Sequence, residues 1–184
     1  ALFLVEALEN GTPLAEIQAT SAAARFPFRA IKFNLPWYSY RAGEALALHD
    51  ATCRDLAYWE SFLDMMARNR FNTLSLWSLH PFPLMIRNEQ FPEACPLTDA
   101  ELAEWQQFWH QLFAMAKQRG IDTYLVNWNI FVSPSFAAKH GVAEYCDENM
   151  DANYFGAGET AEIVKQYTRT TVTQVIDTYP NLTG

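Results

Sequence analysis

The chain lacks the short signatures that announce the commonest chemistries. Its 184 residues contain no GxGxxG, no GxxxxGK[ST], no GxSxG and no HExxH, so nucleotide-binding, serine-hydrolase and zincin readings have no support. Cysteine is scarce: Cys53, Cys95 and Cys146 are odd in number, far apart and without a CxxC pair, which argues against a disulfide framework and a zinc ribbon. His49 and Cys53 are four residues apart, but two ligands without partners make no metal site, and no metal or other cofactor is expected. Long apolar runs are missing too. ALFLVEAL at the start is broken by charge well short of the roughly 18 residues a membrane span needs, and it has neither a basic n-region nor a cleavage signal. Positive charge is in deficit, with 13 Lys and Arg against 21 Asp and Glu and a net charge of -8. The basic residues are scattered, so no stripe exists to track a phosphate backbone, and neither nucleic acid nor an anionic membrane is an expected partner.

What is present is apolar and aromatic. Half the residues are hydrophobic, enough for one domain with a sizeable core. Residues 1–10 read as the end of a helix, with Leu2, Val5 and Leu8 at helical spacing and Gly11 and Pro13 as stop signals. A short segment, Leu14 to Thr20, leads into the small-residue run SAAAR and then FPFR, where Pro27 favours an extended path. Residues 1–25 thus read as the end of a helix followed by an inter-domain linker.

From residue 26 a strand–helix unit repeats three times. AIKFNLPW (Ala30 to Trp37) alternates like a strand, and a helix capped at Asp50 and running to Asn69 carries Leu56, Trp59, Leu63 and Met66 on one stripe. FNTLSLWSLHPF (Phe71 to Phe82) is the second strand. After a Pro-rich loop, Thr98 with Glu101 forms a capping box for a helix carrying Leu102, Trp105, Trp109, Leu112 and Ala116 and closed by Gly120. IDTYLVNWNIF (Ile121 to Phe131) is the third strand. A long polar loop follows, then a helix from Thr160 with Ile163, Tyr167, Val175 and Ile176, whose β-branched run TRTTVTQV needs packing support. The closing NLTG resembles the lead into another strand. Such alternation predicts an α/β fold with parallel strands. The expected architecture is a partial (β/α)8 TIM barrel, its first three units lying in residues 26–184, with an open doubly wound sheet as the other possibility.

In both architectures ligands lie at the C-terminal ends of the strands. Each strand here finishes in Trp with Asn or His nearby. Alternation predicts Ile31, Phe33, Leu35, Leu74, Leu76, Val126 and Ile130 towards the helices, and Lys32, Asn34, Ser75, Trp77, Asn127 and Asn129 towards the axis. Buried amides need partners, so their clustering suggests a ligand or ordered water. A flat indole beside amide donors suits a sugar, which has a C–H face and a hydroxyl rim. The candidate substrate-binding residues are Asn34, Trp37, Arg41, Trp77, His80, Asn127 and Asn129, with Arg41 and Lys32 able to meet a carboxylate or sulfate. The opposing view is that the strand-end tryptophans plug the barrel and that His80 caps its own turn. No strand ends in Asp or Glu, and nothing in the spacing of the loop carboxylates singles out the pair that glycosidic hydrolysis needs.

The strings RFPFRAIKFNLPW, FLDMMARNRFNTLSLW, AKQRGIDTYLVNWNIF and YPNLTG together resemble the front of the catalytic barrel in multi-domain glycoside hydrolases of the family 20 hexosaminidase and family 67 α-glucuronidase style. Phe26, Pro27, Phe28 and Arg29 match the linker of such enzymes, and Met66, Ala67, Arg70 and Asn72 loosely match a helix end. His80-Pro81-Phe82-Pro83 stands where family 20 has an acidic loop. The resemblance implies an oligosaccharide or polysaccharide substrate, complex or acidic in character, and an extracytoplasmic or periplasmic setting. It also implies that residues 1–25 are the end of a preceding small α/β domain and its linker, that the catalytic acids lie on later strands, beyond residue 184, and that the remaining barrel segments of the same protein are partners. The alternative is a non-catalytic carbohydrate-binding or structural α/β module. A lyase or aldolase barrel is disfavoured, because Lys32 is the one strand lysine available for a Schiff base.

Overall fold

The computed structural model describes residues 2–19, 21, 23–38, 43–127, 131–142 and 161–184. At its centre β1 (Ala30–Asn34), β2 (Thr73–Ser78) and β3 (Asp122–Asn127) form a parallel sheet in the order β1-β2-β3. The described helices are α1 (Leu2–Glu9), α2 (Glu44–Arg54), α3 (Leu56–Arg68), α4 (Asp99–Gln118), α5 (Pro134–His140) and α6 (Glu162–Thr178). The protein is therefore mixed α/β. None of the described helices is long and apolar enough to cross a membrane.

Strand register decides which side chains share a face. Ile31, Leu74 and Thr123 are aligned, as are Phe33, Leu76 and Leu125, and alternation puts all six on one side. Helices α3 and α4 cover that side. Trp59, Leu63 and Met66 of α3 and Trp109, Leu112 and Phe113 of α4 form one core with Leu74 and Leu76, each of them completely buried. Burying a Leu or Phe side chain in this way contributes about 1.5–3 kcal/mol, and this helix–sheet layer is where the fold is held. The opposite face carries Lys32, Asn34, Ser75, Trp77, Tyr124 and Val126, none of them buried.

Local signals set the helix ends. Thr98 and Glu101 make the expected reciprocal capping box at the start of α4, and Gly120 closes the helix at φ 69°, a conformation glycine adopts without a Cβ penalty. The expected single helix from Asp50 to Asn69 is instead two. Asp55 breaks the run and caps α3, its carboxylate accepting the Ala57 N–H at 2.9 Å, while Asp50 lies inside α2 and accepts the Trp37 indole N–H. An aspartate in the middle of the segment is the better cap because its neighbour Leu56 begins the apolar stripe. Helix α5 lies within the expected polar loop, capped by Ser133 and ended by Gly141 at φ 65°. In α6 the buried stripe is Val164, Tyr167, Thr171 and Val175, whereas Ile176, predicted to pack, is 57% exposed.

Two features frame the sheet. At its entrance Arg29 holds the linker: its guanidinium donates to Phe26 O and Arg70 O, both at 2.5 Å, and the Asn72 amide donates to Pro27 O at 2.8 Å. At the far edge Thr183 and Gly184 donate to Thr123 O at 3.0 and 3.3 Å, and Leu125 N donates to Gly184 O at 2.9 Å. NLTG thus lies against β3 where a further strand would pair.

Candidate functional site

On the open face of the sheet, Lys32, Ser75 and Trp77 form one unit. The Lys32 ammonium sits 4.0 Å from the Trp77 ring centroid, and the indole N–H donates to Ser75 Oγ at 2.8 Å. The ring is therefore held at its edge by a hydrogen bond and on its face by a cation–π contact of about 0.5–1 kcal/mol. Asn34 pairs with Trp77 across β1 and β2, and its Oδ1 is buried with no hydrogen-bond donor among the described residues. A buried amide oxygen left unpaired costs about 1–3 kcal/mol, so the face carries an acceptor whose donor must come from elsewhere. An ammonium, a pinned indole and an unpaired amide oxygen in neighbouring register positions can recognise a hydroxylated ring bearing a negative charge.

Beyond the end of β2, His80 is 3% exposed. Its Nε2 lies 3.0 Å from the Tyr167 hydroxyl, and the ring meets Tyr38 and Phe82 edge-on at centroid distances of 6.4 and 5.5 Å. Burial disfavours the imidazolium and lowers the pKa of His80 to about 3, so the ring is neutral at ordinary pH. Its Nδ1 is buried and has no partner among the described residues. Behind it, burial raises the Tyr167 phenol above its usual range, with the Thr171 hydroxyl acting in the opposite direction. Thr171 in turn accepts from the Asn88 amide at 2.8 Å, and Asn88 also donates to Thr170 at 2.9 Å.

The other strand-end candidates are placed differently. Trp37 belongs to the core: it is 9% exposed and packs edge-on against Trp105, Phe108 and Trp109 at 4.7, 5.8 and 5.9 Å. The chain turns after Pro36, which carries this indole over to the helices, so the structure supports the plug reading for Trp37. Alternation along β3 also runs out of phase with the expectation. Val126 aligns with Trp77 on the open face, whereas Asn127 aligns with Ser78 on the other, its Oδ1 buried and without a partner among the described residues. The ladder to β2 sets the phase: Leu125 aligns with Leu76 and Thr123 with Leu74 on the helix side, which leaves Val126 on the other. Arg41 and Asn129 lie outside the described residues, as do Trp128, Ile130 and Cys146. The structure thus brings together Lys32, Asn34 and Trp77, with His80 at the end of the middle strand.

Sequence reasoning missed the polar supports. Tyr167 was legible as a helix-stripe residue, but its hydroxyl partner is 87 positions away, and Asn88 sits in a loop with no periodic signal. It also missed the Glu93 cluster, where His140 Nε2 and Lys139 Nζ approach the carboxylate at 2.7 and 3.1 Å. Burial pushes Glu93 upwards, but hydrogen bonds from its own backbone N–H, His140 and Lys139 outweigh it and hold the carboxyl below its ordinary range. Committed to that network, Glu93 is poorly suited to be a general acid. An open polar cleft of about 500 Å³ lies on the helix side between the loop at Asn88 and α6, lined by Glu89, Thr170, Gln174 and Asp177 among others. No group of three potential metal ligands occurs among the described residues.

No protein-family model matches the chain, and no curated protein matches it in sequence. The fold does have a solved counterpart. The chain superposes on part of a GH138 enzyme targeting pectin rhamnogalacturonan II with a TM-score of 0.77 and 24% identity, over 97% of this chain and 20% of the other. The two share their α/β fold over nearly the whole of this chain, which spans about a fifth of the length of that enzyme.

Proposed function

We propose that residues 26–184 are the first three units of a (β/α)8 catalytic barrel in a carbohydrate-active glycoside hydrolase, preceded in residues 1–25 by the end of another domain. The substrate of this reading is an acidic or otherwise complex glycan, such as the pectic polysaccharide that the structural counterpart targets. The observation that carries it is the asymmetry of the sheet. Consecutive parallel strands send both crossover helices to one face, as a singly wound barrel requires, and leave Lys32, Asn34 and Trp77 together on the other. A doubly wound sheet would reverse its strand order beyond β1 and carry its later helices on the open face. The position of Thr183 and Gly184 beside β3 agrees with a fourth strand in sequence.

In this reading the described residues bind and orient substrate while the reacting carboxylates come from later strands. Trp77, with the Lys32 ammonium over its ring, offers an indole–cation surface to a sugar bearing negative charge, and Asn34 accepts from a hydroxyl. The family 20 or family 67 style of enzyme is one form of the reading, and the GH138 fold likeness is another. Replacing Trp77 by Ala in the intact protein tests it: glycan affinity should fall about tenfold or more while the fold persists, given about 1–3 kcal/mol for a stacked ring. Unchanged binding with normal stability rejects the stacking role of Trp77, and absence of glycan binding by the wild-type protein favours the structural-module alternative.

A further inference from the structure

The hydrogen bonds behind His80 run in one direction. Asn88 Oδ1 accepts the backbone N–H groups of Gln90 and Phe91 at 2.9 and 3.1 Å, which fixes the amide orientation and leaves Nδ2 to donate to Thr170 and Thr171. The Tyr167 hydroxyl is buried, and its one hydrogen-bond partner among the described residues is His80. The Tyr167 hydrogen then goes to His80 Nε2, 3.0 Å away. A neutral imidazole that accepts at Nε2 must carry its proton on Nδ1. That Nδ1 is buried with no partner among the described residues.

We propose that Tyr167 is a positioning residue that fixes His80 as the Nδ1–H tautomer, and that His80 offers this hydrogen to an acceptor oxygen of the bound glycan. The inference deepens the carbohydrate reading and rests on it. The ligand class follows from the donor: one neutral N–H in an apolar aromatic surround suits a sugar hydroxyl or ring oxygen, and it leaves to Lys32 any carboxylate that needs a full positive charge. Access is over the end of β1. Tyr38 touches the His80 ring edge-on, is itself 36% exposed, and sits at φ 48°, a left-handed backbone conformation that is strained for a non-glycine residue. Movement of Tyr38 towards ordinary φ would release that strain as it uncovers the imidazole.

The test is long-range ¹⁵N–¹H correlation of the histidine rings in the full-length protein, alone and with oligosaccharides from pectin rhamnogalacturonan II. In the free protein His80 should show a protonated Nδ1 and a bare Nε2 from pH 5 to 8, and Tyr167→Phe should convert this to a mixture of tautomers. On binding, the Nδ1–H resonance should move downfield, and His80→Phe should weaken affinity about tenfold, the size of one lost hydrogen bond. A protonated Nε2 in the wild-type protein overturns the tautomer assignment without recourse to any variant. Binding with the Nδ1–H resonance unmoved, as a buried water partner would give, overturns the ligand role and leaves the carbohydrate reading standing. Absence of binding refutes that reading, and this ligand with it.

Discussion

Replacing Asn88 by Ala removes four hydrogen bonds: two from its amide to Thr170 and Thr171, and two into its carbonyl from Gln90 and Phe91. Their losses are unequal. Gln90 is exposed and its N–H can turn to water, and the Thr170 hydroxyl keeps its own bonds to Gln166 O and Tyr167 O at 3.0 and 3.1 Å. The Phe91 N–H and the Thr171 hydroxyl are buried and have no such substitute. One orphaned buried donor at about 1–3 kcal/mol and one lost buried acceptor bond at about 1 kcal/mol give a destabilisation of about 2–4 kcal/mol. For a unit of this size that lowers the melting temperature by roughly 4–16 °C. Thermal melting followed by tryptophan fluorescence measures it. A double-mutant cycle with Thr171→Val isolates the shared bond, with an expected coupling of about 1 kcal/mol. A loss below 1 kcal/mol for Asn88→Ala, or a cycle that closes to zero, refutes the view that Asn88 ties the β2 loop to α6.

Glu93 makes stability depend on acid. Its folded pKa is depressed, so the contribution is complete above the ordinary glutamate value of about 4.3 and is lost as the pH falls through the lower folded value. Glu93→Gln should therefore be less stable than the wild type at neutral pH, with the two unfolding curves converging below about pH 4; a constant difference down to pH 3 contradicts this. Cys53 is 2% exposed, and burial, with a smaller effect of Asp50, raises its thiol to about 11. It should resist Ellman's reagent at pH 8 in the folded protein and react on unfolding, and prompt native labelling at Cys53 would show the α2–α3 junction to be open.

The layers of this fold were readable because they rest on short-range rules. The capping box at Thr98, the indole and leucine stripe of α4 and the alternation in β1 and β2 each involve residues within a few positions of one another. Where two local signals competed, the reading went astray: Asp50 and Asp55 are both good caps, and only packing against Trp37 shows that Asp50 lies inside a helix. Helix α5 was hidden because seven residues are too few for periodicity, although Ser133-Pro134 and Gly141 bracket it with ordinary start and stop chemistry. In the site, Trp77 and Asn34 were identified by strand alternation, but that rule assumes a phase. The phase of β3 comes from its ladder to β2, which moved Asn127 off the face it was expected to share.

By itself the sequence determined the α/β class, the three strand–helix units and the clustering of indole, amide and imidazole groups at strand ends, since each follows from side-chain period and capping over a few turns. Tertiary structure alone decided which partners those groups meet. It buried Trp37 among three other aromatic rings, set Lys32 against Trp77, and joined His80 to Tyr167 across 87 residues of chain. The physical reason is that hydrogen bonds and ring contacts depend on separations of a few ångströms in space, and sequence distance carries no information about which distant residues the packing brings within that range.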